Sequence, residues 1–254
     1  MGDNRALVLE YLRGIALPLR SVAWSIIEER RPLGDESLLL RPSLVVWSCA
    51  ACGGDLRDAL PVGAAFDFLD RFMRLHDELT DGPASVQARG AESPVARWGL
   101  GQSLNAGDAL YALGLRALAQ DVGDADRRLR VASQVTRAVL EAIEGRTNDI
   151  ERSARGRLNG GLLARVRSMR RRSATLTGAA LEAGARIAGA PEPVLRAFNR
   201  AGRLLDVAAT TGDDSRVATR LVEKAVAAIE RCIPVRRQLE AFEEVARYVA
   251  TRAA

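Results

Sequence analysis

A chain of 254 residues with 48% hydrophobic content can bury a sizeable core, as one large domain or two small ones. Ala, Leu, Arg and Glu dominate and aromatics reach only 4%, a composition that favours helix over sheet. The formal charge is +5, from 37 basic and 32 acidic residues, but no basic run is interleaved with aromatics. That argues against nucleic acid as a partner and leaves a solvated arginine surface or a site for a small polyanion.

In chain order, residues 5–30 read as an amphipathic helix that Pro18 kinks. A turn at Pro32, Gly34 and Asp35 leads to a helix over about 37–52, closed by Gly53-Gly54-Asp55. The next runs from Pro61 to Asp81, with proline in its first turn. Residues 82–94 are a loop by composition. Helices follow at about 96–120, 125–155, 162–189, 192–212, 216–232 and 235–252, separated by Gly, Asn and Pro clusters. No β-like alternation of useful length interrupts them. The expectation is an all-α bundle of about ten helices in one domain, residues 1–254.

Cys49 and Cys52 form a C-x-x-C inside the apolar run LVVWSCAACGG, without a second pair or nearby histidines, so they read as packing residues rather than zinc ligands. Three cysteines and no secretory signal point to the cytoplasm. No apolar stretch approaches the roughly 18 residues of a membrane span.

The stretch RLHDELTDG, residues 74–82, places acids at the end of an apolar helix. Asp77 and Asp81 share one helix face and repel each other, and the helix C-terminus disfavours them further. A cation between them removes the penalty, and carboxylates at an open site suit Mg²⁺. Back along that face lie Met73, Leu69 or Asp70, and Phe66, a largely apolar stripe below the acids. A second acidic pair, Asp213 and Asp214, follows another apolar helix. Two such mouths facing across one cavity suit a ligand with an oily tail and a diphosphate head.

Seven stretches, in order, resemble the polyprenyl synthetase (trans-isoprenyl diphosphate synthase) family. LRPSLVV at 40–46 is similar to its L-R-P segment, and HDELTD at 76–81 to its first aspartate motif. WGLGQSLNAGDALYALGLRAL at 98–118 is the most specific match. EGRTNDIE at 144–151 resembles G-Q-x-x-D, and RRSATLTGAALEAGARIAGA at 171–190 the K-T-x-x-L segment. GRLLDVAATTGDD at 202–214 aligns without gaps on the second aspartate motif, and AFEEVARYVATR on the closing helix.

The resemblance implies an isoprenoid-synthase-type bundle around a central apolar cavity, usually dimeric. Asp77, Asp81, Asp213 and Asp214 would bind Mg²⁺, which clamps an allylic prenyl diphosphate and drives its departure. Arg172 would take the place of the K-T lysine. Arg41 and Arg89 would remain of the isopentenyl diphosphate pocket, and Asp149 with Arg146 would line the mouth. Phe66, Phe72, Met73, Trp98 and Tyr111 would line the cavity. Phe72, where the family sets chain length, implies a C15–C20 tail.

Several departures follow a pattern. Glu78 replaces the second aspartate of the first motif, and Val217 stands at the fifth position of the second. Leu38 and Leu39 replace two cationic donors of the isopentenyl pocket, Val95 stands where a histidine is usual, and a lysine-bearing loop is missing. Asp206 replaces a glycine. With the ionising half kept and the accepting half reduced, the first expectation is cyclisation of the allylic cation to a terpene. The alternative is transfer to isopentenyl diphosphate or an unusual acceptor. A second alternative is an inactive subunit that regulates an active synthase.

Overall fold

The structure is a computed structural model that describes residues 7–8, 10–12, 40–81, 93–119, 124–154, 161–209, 215–233 and 236–251, without the side chains of Asp81, Ser153, Ser215, Arg237, residues 161–173 and residues 248–251. Every element of the described residues is helical, so the fold is all-α. The elements are α1 (Leu40–Ala51), α2 (Leu56–Asp81), α3 (Pro94–Leu118), α4 (Ala125–Ala154), α5 (Gly161–Ile187), α6 (Glu192–Ala208), α7 (Ser215–Glu230) and α8 (Arg236–Thr251). Residues 7–8 and 10–12 are also helical, and Val8 and Leu12 join the core.

Helix α1 is largely apolar, and every residue from Pro42 to Cys49 is buried. A helix of that kind belongs at the centre. It packs against α2 on one side and α5 on the other. Gly53, at φ +77°, ends it in a left-handed turn that a side chain would strain. The amide of Gly54 then returns to the Cys49 carbonyl at 3.0 Å.

Helix α5 is the second hub, touching α1, α2, α4 and α6. Its small residues allow close approach, and Gly184 lies directly against the backbone of α1 at Val45. Two apolar clusters result. One joins α1 to α2, α3, α4 and α5. The other joins α1 and α5 to α6, α7 and α8, with Trp47 stacked on Phe242 at 4.9 Å and Phe198 at 5.9 Å.

Three boundaries differ from the sequence reading. Helix α2 begins at Leu56, not Pro61, because the Asp55 carboxylate accepts from the Arg57 amide at 2.8 Å and starts the helix earlier. Pro61 therefore lies inside it. Helix α3 starts at Pro94 and breaks at Gly99, whose φ of 79° and ψ of 167° are not helical. Helix α6 closes at Ala208, with Ala209 as its cap, short of residue 212. No described helix is long and apolar enough to cross a membrane.

Candidate active site

The last turn of α2 carries Asp77, and a long-range partner sits against it. Arg146, on α4, brings Nε to 3.1 Å from Asp77 Oδ1; the two side chains are 17% and 23% exposed. The same guanidinium donates to the Asp77 carbonyl at 3.3 Å and to Thr80 Oγ1 at 2.6 Å. A cation here offsets the carboxylate's unfavourable place at a helix C-terminus. Asp149, three residues further along α4, is half-buried.

Glu78, the altered position of the motif, faces the other way. It is 1% exposed and accepts a hydrogen bond from Ser93 Oγ. Ser93 is also the N-cap of α3, accepting from the Ala96 amide at 3.2 Å. Glu78 thus ties the end of α2 to the start of α3 and is not turned toward Asp77.

Below Asp77, α2 and α3 meet closely. Phe72 packs on His76 with ring centroids at 4.5 Å and on Tyr111 at 5.2 Å. A side chain at Gly107 would run into the His76 ring. Phe66 is buried in the first cluster and Met73 is half-buried beside it. Trp98 lies at the break in α3, with the Arg97 guanidinium 4.4 Å from its ring centroid.

The face below the acids is less apolar than its sequence implies. Asp67 is buried and pairs with Arg71 at 3.1 Å. Asp70 pairs with both Arg41 and Arg74, the latter at 2.9 Å. Arg41 also donates to Thr177 Oγ1 at 3.2 Å, and its other arm lies 3.8 Å from Asp206. Thr177 donates to Asp206 at 2.7 Å. Side chains from α1, α2, α5 and α6 thus form a polar knot, with Arg41 and Asp70 each 12% exposed and Asp206 10%. Two arginines and two aspartates leave it neutral. Asp206→Ala takes one carboxylate away from Arg41 and removes the acceptor of the Thr177 hydroxyl. The expected cost is about 2 kcal/mol in urea unfolding, with Asp206→Asn losing about half as much.

Asp70, Arg74 and Thr177 were not among the sequence-derived site residues. Asp70 carried a signal, since it stands two turns below Asp77 on the same face; Thr177 carried none. The side chains of Asp81 and Arg172, and residues Arg89, Asp213 and Asp214, lie outside the described residues. The cysteines behave as packing groups. Burial pushes the Cys49 thiol up to about 12 and the Cys52 thiol up to about 11, far from thiolate chemistry.

Of the carboxylates expected at the metal site, Asp77 is the one whose side chain is described. Asp77 offers carboxylate oxygens at a partly open helix end, the kind of donor a hard cation takes. Among the described residues no cluster of three or more His, Cys, Asp or Glu forms. The guanidinium of Arg146 is a positive charge set against Asp77.

A geranylgeranyl diphosphate synthase from Mycobacterium tuberculosis is 30% identical over 193 residues, 76% of this chain and 54% of the relative. A (2E,6E)-farnesyl diphosphate synthase from Mycobacterium bovis is 30% identical over 195 residues, 76% of this chain and 52% of the relative. The chain thus spans about half the length of the curated relatives it matches. The solved structure of a geranylgeranyl pyrophosphate synthetase from Geoglobus acetivorans shares the fold, with a TM-score of 0.83 at 18% identity over 99% of this chain and 97% of that one. The family model for polyprenyl synthetase matches residues 35–216, and with the two relatives it shows that the chain belongs to the polyprenyl synthetase family.

Proposed function

We propose that this chain, acting as one domain, ionises an allylic prenyl diphosphate and transfers the resulting cation to an acceptor. The observation that carries this is the partly exposed Asp77 carboxylate near the C-terminal end of α2, with the Arg146 guanidinium beside it. Asp77, Asp81, Asp213 and Asp214 would hold Mg²⁺. When bound, the metal supplies charge to neutralise the departing diphosphate. Arg172 would position that diphosphate, Asp149 would line the mouth, and Phe66, Phe72, Met73 and Trp98 would shape the hydrocarbon site. The relatives' names support a C15–C20 product or substrate.

Those relatives are named for chain-building synthases, so transfer takes precedence here over the cyclisation that the sequence put first. One observation keeps a second reading. Arg41, with Arg89 a cation kept from the isopentenyl pocket, is held by Asp70 and Asp206. An acceptor without a diphosphate, or an internal double bond of the substrate, suits that neutral knot better than a dianion does.

The test is to incubate the protein with Mg²⁺ and geranyl, farnesyl or geranylgeranyl diphosphate, with and without isopentenyl diphosphate, and to analyse extracts by mass spectrometry. A longer prenyl diphosphate formed only with isopentenyl diphosphate supports elongation. A hydrocarbon or alcohol from the allylic substrate alone replaces it with cyclisation. No turnover leaves the regulatory-subunit reading.

A second copy of the chain is the proposed protein partner. Leu100, Leu104, Tyr111 and Leu115 form an exposed stripe on α3, and Leu129, Leu140, Ile143 and Ile150 form another on α4. Apolar rows of this kind mark association surfaces. Sedimentation at twice 27.4 kDa supports the homodimer, and the monomer mass removes it.

A further inference from the structure

We infer that Arg146 is a resident cation of the acidic mouth that competes with the divalent metal for Asp77, making tight metal binding conditional on the arrival of a diphosphate. This rests on the metal site proposed above and concerns what this chain adds to it.

The guanidinium is held by three acceptors on α2: the Asp77 carboxylate at 3.1 Å, the Asp77 carbonyl at 3.3 Å and the Thr80 hydroxyl at 2.6 Å. Its side chain is mostly buried, so the pairing is screened less than a surface ion pair. Arginine stays charged at any working pH, and its planar fork holds several acceptors at once. At the C-terminal turn of α2 it also meets the negative end of the helix dipole.

A divalent ion approaching Asp77 therefore meets a carboxylate with one oxygen already paired and a positive charge within a few ångströms. Without an anion to share, the two cations repel each other. A diphosphate changes the balance, because it gives the guanidinium a doubly charged acceptor of matching geometry. Arg146 can then turn from Asp77 to phosphate oxygens, freeing the carboxylate for the metal. Metal and diphosphate become positively coupled through one side chain, and the coupling is reciprocal. The chain's own sequence marks the position: EGRTNDIE carries arginine where the family pattern has a neutral glutamine.

The experiment uses Mn²⁺ as the probe, with free aquo-Mn²⁺ followed by electron paramagnetic resonance, with and without inorganic diphosphate. In the absence of diphosphate, Arg146→Gln is expected to bind Mn²⁺ about tenfold more tightly than the unaltered protein. Diphosphate is expected to tighten Mn²⁺ binding strongly in the unaltered protein and much less in Arg146→Gln. Adding Asp77→Asn to Arg146→Gln removes the gain. Circular dichroism checks folding, and Arg146→Lys, which keeps the charge but not the fork, is expected to fall between the two. If Arg146→Gln does not fold, Arg146→Lys alone decides, a shift toward tighter binding supporting the inference. Equal Mn²⁺ affinity with and without the arginine, while Asp77→Asn weakens binding with diphosphate present, overturns the inference and leaves the metal site standing. Mn²⁺ binding that ignores Asp77 under every condition removes the metal site and the inference with it.

Discussion

Asp77→Ala is expected to lower turnover of an allylic diphosphate by at least about 10³-fold, equivalent to about 4 kcal/mol of lost transition-state stabilisation. The leaving group develops negative charge as its C–O bond breaks, and metal-borne charge held by Asp77 would meet the larger part of it. Asp77 is a described carboxylate at the end of α2 where the metal would be held, and Glu78 cannot stand in for it. That neighbour is buried and committed to Ser93. The fold is expected to survive. Asp77 is partly exposed, and Arg146 keeps the Thr80 hydroxyl and the Asp77 carbonyl as acceptors, so losing the ion pair is expected to cost about 1–2 kcal/mol, too little to unfold the chain. A cooperative urea transition shifted only slightly, together with lost turnover, is the expected pattern. Turnover within threefold of the unaltered protein rules Asp77 out as a metal ligand.

Gly184→Ala has the largest expected effect on stability, a loss of about 3 kcal/mol or more. Replacing glycine by alanine inside a helix ordinarily gains up to about 1 kcal/mol. The sign reverses here because a Cβ would be driven into the Val45 carbonyl oxygen and the Ser48 hydroxyl, and would lie 2.9 Å from the Val45 carbonyl carbon. Backbone of a buried helix cannot give way as a flexible side chain can. Helix α1 is enclosed from Pro42 to Cys49, so α5 would have to move away from it and open both apolar clusters at their shared wall. Gly101→Ala is the control. That position has open space around it, and the ordinary helix gain is expected. A pair of urea unfolding curves shifted in opposite directions confirms the α1–α5 contact, whereas a stabilised Gly184→Ala contradicts it.

The helices were legible because apolar residues recur at helical spacing and Gly or Pro punctuates most of their ends. The start of α2 was misplaced because Pro61 looks like a first-turn proline, while Asp55 captures the chain one turn earlier. The break in α3 was invisible because WGLGQ reads as a continuous helix with two tolerated glycines, and only tertiary context decides which one takes a positive φ. Asp77 was legible through local physics, since like charges at the end of a helix need a counter-ion. That the counter-ion in the structure is Arg146 could not be read, because the two residues are 69 positions apart. The capture of Arg41 likewise needed four helices to be placed first. Periodicity reports which face is buried, not which charges meet there.

The proposed enzyme depends on Asp77 and the distant Asp213 sharing metal ions at one mouth. A crystal structure with Mg²⁺ and an unreactive allylic thiolodiphosphate tests that directly. The expected result is Mg²⁺ held jointly by the carboxylates of Asp77, Asp81 and Asp213 beside the diphosphate. Asp213 far from Asp77, or the analogue bound without metal at another surface, contradicts it.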